Sequence, residues 1–128
     1  MSLPKELLYT EEHEWVKKDG DTYVIGITDF AQDQLGDIVF VELPEVGDKI
    51  EQGDSIGSIE SVKTVSDFYA PVTGEVVEIN DSLEDEPELL NSDTYEKGWI
   101  LKVKDVSAEQ IDGLLSSEDY EKVARRFI

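Results

Sequence analysis

The chain has no cysteine, one histidine, one methionine and four prolines among 128 residues, and only 11 basic residues against 31 acidic ones. Without cysteine there can be no disulfide, no thiolate metal site and no cysteine nucleophile. With His13 as the sole histidine, the usual pairings of a hydroxyl or thiol nucleophile with an imidazole base are not supported either, and a lone histidine beside Trp15 reads as structural. The acidic run Asp81, Glu84, Asp85, Glu86, Glu88 lacks the alternating ligands and central glycine of a calcium loop, so no metal site is expected. A phosphate-cradling glycine motif followed by lysine is also missing. These absences argue against an autonomous enzyme and favour a carrier or an interaction module.

No apolar run approaches the length needed to cross a bilayer, and the start, Met1 to Glu6, has no basic segment followed by an apolar one. The expectation is a soluble cytoplasmic protein, or a mitochondrial-matrix protein already without its leader. A formal net charge of −20 opposes contact with nucleic acid or an anionic membrane, because each approach adds repulsion instead of releasing counterions. The same charge favours partners with basic docking faces, and its self-repulsion favours a monomer.

What is present is β-rich. Glu14 to Lys18 and Thr22 to Ile27 flank Asp19-Gly20, a strong tight-turn pair, which predicts an N-terminal hairpin. Asp29, with Gln32 three residues on, suggests a capped short helix over residues 30–35 that ends at Gly36. Ile38 to Val41 returns to strand. Between Pro44 and Asn80, short Val-, Ile-, Phe- and Tyr-containing runs are separated by glycine turns, the pattern of a small sandwich or flattened barrel. An acidic loop over residues 81–93, with a helical turn near Glu88 to Asn91, precedes a strand over residues 99–103 that should close the core. Ser107 with Gln110, and Ser116 with Asp119, are candidate starts of two amphipathic helices carrying Ile111, Leu114 and Leu115, then Tyr120, Val123 and Phe127. These two should pack on one side of the sheet. The length suits one domain over residues 1–128, with a hairpin-bearing core at about 22–104 and a helical segment at about 107–126.

One basic residue, Lys63, stands alone between Lys49 and Lys97. Val62-Lys63-Thr64 separates two strand candidates, Ser55 to Ser61 and Val65 to Tyr69, which puts Lys63 at a hairpin tip. A lysine there is a counter-charge for its acidic surroundings or an accessible attachment point.

The surrounding residues favour attachment. Glu60-Ser61-Val62-Lys63 followed by Val65-Ser66-Asp67, and then residues 70–80 around Ala70-Pro71-Val72-Thr73-Gly74-Glu75-Val76, resemble the lipoyl-attachment hairpin of the glycine cleavage system H proteins. His13-Glu14-Trp15-Val16, Ile25 to Gln32, Leu35 to Pro44 and Tyr95-Glu96-Lys97-Gly98-Trp99 resemble the same family, in order, so the likeness runs over roughly residues 7–126. It implies a mainly β, lipoyl-domain-like fold, a flattened β-barrel or sandwich with an N-terminal hairpin, one short internal helix and C-terminal helices. It implies lipoic acid amide-linked to Lys63, supported by Glu60, Ser61, Val62 and Thr64.

It also implies a non-catalytic carrier's work. A pyridoxal-phosphate glycine decarboxylase (P protein) loads an aminomethyl group, an aminomethyltransferase (T protein) passes the one-carbon unit to tetrahydrofolate with release of ammonia, and dihydrolipoyl dehydrogenase (L protein) reoxidises the dithiol. A lipoate ligase or a lipoyl or octanoyl transferase would install the arm. In the family the loaded arm folds into a cleft whose polar lining matches Glu14 and Asp67, sheltering an ammonium cargo from water. The position before the His-Glu-Trp block, often serine in the family, is Glu12. That departure removes a neutral hydroxyl and adds negative charge. The competing readings are a lipoyl domain of a 2-oxoacid dehydrogenase complex, which lacks the Trp15 hairpin and the C-terminal helices, and a biotin carrier, whose lysine is flanked by methionines where Val62 and Thr64 stand. A third is an H-like protein that relays lipoate to other proteins.

Overall fold

The structure, a computed structural model, describes residues 3–125. Its strands are β1 (Leu8–Tyr9), β2 (Glu14–Asp19), β3 (Thr22–Ile27), β4 (Ile38–Glu42), β5 (Lys49–Ile50), β6 (Ser55–Ser61), β7 (Val65–Tyr69), β8 (Gly74–Ile79) and β9 (Leu101–Lys104). The helices are α1 (Asp29–Leu35), α2 (Ser82–Asp85), α3 (Leu89–Ser92), α4 (Ala108–Asp112) and α5 (Ser117–Arg125). The strands form two antiparallel sheets, one ordered β1-β2-β3-β9-β8-β5 and one ordered β4-β6-β7.

The two sheets face one core. Val16, Ile25, Leu101, Val103 and Val76 from the larger sheet pack with Ile38, Val41, Ile59 and Phe68 from the smaller. The expected mainly β architecture is therefore present as a sandwich, and among the described residues no ladder closes it into a barrel. The physical reason lies at the edges: β1 and β5 are two-residue strands, too short to carry hydrogen bonding onward to the smaller sheet.

The larger sheet is covered on its other face as well around β2 and β3. Trp15, Tyr9, Val24, Phe30, Tyr120 and Ala124 form a second buried cluster. Trp15 pairs with Gly26 across the ladder, and its indole lies where a Gly26 side chain would have to be, about 2.6 Å from an ideal Cβ. This double coverage explains why Glu14, Trp15 and Val16 are all buried in succession, against the alternation expected of a half-exposed strand.

Several expectations are adjusted. Thr28, not Asp29, caps α1: its Oγ1 accepts the Ala31 N–H at 3.1 Å, and the Asp29 carboxylate accepts from Gln32 Nε2 instead. The helical turn expected near Glu88 to Asn91 is present as α3, which buries Leu90, and the acidic loop adds one further one-turn helix, α2, which buries Leu83. Strand β9 begins at Leu101, after Trp99 and Ile100, and lies in the middle of its sheet between β3 and β8. The C-terminal helices start where the serines indicated, with Ser107 Oγ accepting from Glu109 N and Ser116 Oγ from Asp119 N. They serve different clusters. Ile111 and Leu114, on and just after α4, pack against the main core, while Tyr120 and Ala124 of α5 belong to the second cluster. Phe127 lies outside the described residues.

Candidate functional site

Strands β6 and β7 pair from Ser55↔Tyr69 to Glu60↔Val65, leaving Val62, Lys63 and Thr64 in the turn beyond Ser61. Buried Ser61 builds that turn. Its N–H donates to Thr64 O at 2.8 Å, and its Oγ accepts the N–H groups of Lys63 (3.2 Å) and Thr64 (3.1 Å). The tip is also tied to the rest of the fold, because Val62 N–H donates to Asp37 O at 3.0 Å. Gly36, with φ +81°, closes α1 under the tip, and a Cβ there would sit 3.2 Å from Lys63 Cε. The lysine therefore lies over bare backbone.

Asn91 fixes this segment from below. Its Oδ1 accepts Ile38 N–H at 2.9 Å, and its Nδ2 donates to Gly36 O and Gln32 Oε1, both at 2.9 Å. Lys63 is exposed, and among the described residues it has no ion-pair partner. Lys102 and Lys104, by contrast, stand near carboxylates. The counter-charge reading of Lys63 thus finds no pairing to rest on.

Beside the hairpin a cavity of about 260 Å³ opens between β7, α1 and the start of β2, lined by Glu12, His13, Glu14, Phe30, Leu35 and Asp67 among others. Glu14 and Asp67, far apart in sequence, line the same space. Their environments differ. Asp67 is exposed on β7, whereas Glu14 is 2 % exposed on the core face of β2 opposite Ile27. Thr10 Oγ1 donates to Glu14 Oε1 at 2.7 Å and accepts Glu14 N–H at 3.2 Å. Burial pushes the Glu14 carboxyl from its ordinary 4.5 up to about 8, with the Thr10 hydroxyl opposing the shift and the Glu12 charge adding to it. Burial thus favours the protonated form of Glu14 near neutral pH, in contrast to the exposed Asp67 across the same cavity.

His13 forms another part of the wall, held at φ 68° in the left-handed region. Its Nδ1 lies 2.7 Å from Tyr120 Oη, and Tyr120 Oη lies 2.8 Å from Thr28 Oγ1. Assigning protons so that each buried hydroxyl has an acceptor, Thr28 donates to Tyr120 and Tyr120 donates to His13 Nδ1. The imidazole is then neutral with its proton on Nε2. Burial also lowers the His13 pKa, although Glu12 pulls it upward. Through this chain the cavity wall, the α1 cap and helix α5 are one unit.

Of the other residues singled out from sequence, Glu60, Val62 and Thr64 are exposed at the hairpin and do not line the cavity. Thr10, Phe30, Asn91 and Tyr120 were not anticipated as site residues. Asn91 sits in the acidic loop with no local signal, and Tyr120 presented only as an apolar helical position. A more open groove of about 620 Å³ runs on the other side of Asp67, lined by Glu42, Asp48 and Asp54 among others.

A two-sheet sandwich that presents one lysine on a braced turn beside a cavity lined by Glu14, Asp67 and apolar side chains is compatible with a carrier type of site. Comparison with known proteins agrees. The profile of the glycine cleavage H-protein family matches residues 7–127, and the chain belongs to that family. It is 76 % identical over 123 residues to the glycine cleavage system H protein of Listeria monocytogenes serotype 4a, covering 96 % of this chain and 98 % of the relative. To the protein of the same name from Staphylococcus carnosus it is 59 % identical over 123 residues, with the same coverage of each chain. The crystal structure of a glycine cleavage system H protein from Mycobacterium marinum superposes with a TM-score of 0.85 at 39 % identity, covering 94 % of this chain and 97 % of that one.

Proposed function

We propose that this chain is the lipoyl-bearing carrier of a glycine cleavage system, a single non-catalytic domain with lipoic acid amide-linked to Lys63. The observation that carries the reading is the exposed, unpaired Lys63 on a turn braced by Ser61 and Asp37, next to a cavity holding a buried carboxyl. The residues suit the group: the Lys63 side chain is exposed, so an enzyme that deprotonates its amine can acylate it, and the strand rise puts cavity-lining Asp67 roughly 13 Å along the backbone from Lys63, within reach of a lysyl-lipoyl arm of about 14 Å. The lipoyl disulfide supplies a sulfur that accepts an aminomethyl group and a dithiol that carries two electrons.

The protein's own contribution is to bind, shelter and release. Phe30, Leu35 and Phe68 exclude water from one side of the cavity, and Glu14 and Asp67 face a cationic cargo from the other. The partners on this reading are glycine decarboxylase (P protein), aminomethyltransferase (T protein) and dihydrolipoyl dehydrogenase (L protein), with a lipoate ligase or a lipoyl or octanoyl transferase to install the arm. Membership of the H-protein family supports this assignment.

Incubation with lipoate, ATP and lipoate ligase should add one lipoyl increment to the intact mass, and Lys63→Arg should add none while keeping its fold. A mass gain in that variant refutes the assignment. Reconstituted glycine decarboxylation with the three partner enzymes separates this carrier from a lipoate relay, which would accept the modification and fail the assay.

A further inference from the structure

Five large apolar side chains are notably exposed among the described residues, and four of them lie on the Lys63 hairpin or on strand β4 paired with it: Val39 (47 %), Phe40 (54 %), Val62 (67 %) and Val65 (61 %). Register explains their grouping. Phe40 pairs with Glu60, and Glu60 pairs with Val65, so the three form one row on the outer face of the β4-β6-β7 sheet. Between Ile38, opposite Ser61, and Phe40, opposite Glu60, β4 carries an extra residue. This bulge turns Val39 outward. The bond from Val62 N to Asp37 O draws the tip residue Val62 down beside the same strand. The fifth residue, Val46 at 60 %, lies elsewhere, in the turn between β4 and β5.

The sandwich core does not need these residues. Burying them in water-free contact would be favourable, and leaving four together on a small acidic protein calls for a partner that covers them. The charges among them state that partner's charge: Asp37, Glu42 and Asp67 are exposed around the patch, Glu60 is exposed between Phe40 and Val65, and the only cation is Lys63. A complementary face combines apolar contacts for Phe40 and Val65 with basic residues opposite Glu60 and the surrounding carboxylates.

Reach decides which partner fits. An unmodified lysine side chain extends only about 6 Å from its backbone, so an enzyme that acylates Lys63 must bring its active site down onto the turn and cover what flanks it. Partners served by the finished arm can stand off by about twice that distance. We infer that the outer face of the β4-β6-β7 sheet, centred on Phe40 and Val65, is the docking surface for the enzyme that acylates Lys63, through apolar contacts combined with its basic residues. This rests on the assignment of Lys63 as the attachment residue.

Lipoate ligase acting on the whole unmodified protein tests it. Phe40→Ser and Val65→Ser should each lower kcat/KM for acylation about tenfold, mostly through KM, as loss of a central interface anchor does, while Val46→Ser stays within about twofold of wild type. Circular dichroism should report an unchanged fold, since all three side chains point to solvent. Driven to full modification with excess ligase, as read by intact mass, Phe40→Ser should then support glycine decarboxylation at the wild-type rate. Wild-type acylation kinetics in both patch variants overturn the inference. Equal loss in acylation and in decarboxylation by the fully modified variant also overturns it, because the surface would then belong to the decarboxylase as well. Failure of the wild type itself to gain mass at Lys63 overturns the underlying assignment instead.

Discussion

Replacing Glu14 by glutamine keeps its shape and removes its proton equilibrium, which isolates the one strongly perturbed carboxyl of the cavity. In the folded protein the carboxyl is pushed from 4.5 up to about 8. The fold thus holds this proton more tightly than the unfolded chain does. Its stabilising contribution is fully present below pH 4.5 and is lost as pH rises through about 8, where an anion must form at a site 2 % exposed. Between those limits the shift corresponds to about 5 kcal/mol, of which about 3 kcal/mol falls between pH 6 and 9.

Urea denaturation followed by tryptophan fluorescence at pH 6, 7, 8 and 9 reads this directly. With a slope of about 1.5 kcal/mol per molar urea, the midpoint of Glu14→Gln should rise relative to wild type by about 2 M from pH 6 to pH 9. Taking the difference between the two proteins cancels groups common to both, including His13. A difference that stays flat over this range refutes the burial argument for Glu14.

Asn91→Ala should lower stability by about 2–3 kcal/mol in thermal or urea melts, because it leaves the buried Ile38 N–H and Gly36 O without their partner; a loss below about 0.5 kcal/mol would mean that other groups take over those bonds. As the only histidine, His13 can be read without overlap in nitrogen-15 imidazole spectra. These should show the neutral ring protonated on Nε2 at pH 7, with that preference lost in Tyr120→Phe, and a wild-type ring protonated on Nδ1 would reverse the donor order assigned through Tyr120 and Thr28.

The parts of this molecule that were legible in sequence are those set by local chemistry. Asp19-Gly20 places the β2-β3 hairpin because glycine there adopts φ +62°, and Ser61 to Thr64 forms a tight tip because a serine hydroxyl can satisfy the two N–H groups that follow it. The helix starts at Ser107 and Ser116 are hydroxyl caps of the same kind. Thr28 and Asp29 are both side chains that can cap, and only the backbone position of Thr28, extended at φ −78° and ψ 164°, selects it.

What sequence did not disclose depends on contacts distant along the chain. Glu14 reads locally as an ordinary strand carboxylate, and its burial follows from the coverage of β2 on both faces by clusters that draw on α5, 100 residues away. Asn91 braces the segment beneath the Lys63 turn from within an acidic loop whose composition suggests only solvation. The cavity itself has no local code, being the gap left where α1, the hairpin and the start of β2 meet.

These electrostatics bear on how a carrier can hold one form of its arm and release another. At pH 7 the neutral Glu14 needs only about 1.4 kcal/mol to ionise, given a pKa of about 8. On the proposed reading, a primary ammonium within about 4 Å would offer about 4 kcal/mol at an effective dielectric of about 20, less its own desolvation cost, and so would favour the ionised form of Glu14. An uncharged guest offers nothing comparable and leaves the carboxyl protonated. The difference in retention thus arises from a group that is neutral at rest, and it disappears with the cargo's charge. A permanently ionised carboxylate at the same buried point would impose the cost of an uncompensated charge whenever the cavity stood empty, and a permanently neutral amide would give no selective hold. On the proposed carrier reading, a glutamate pushed up to about 8 avoids both: its charge would be present while an amine is bound and absent once it has left.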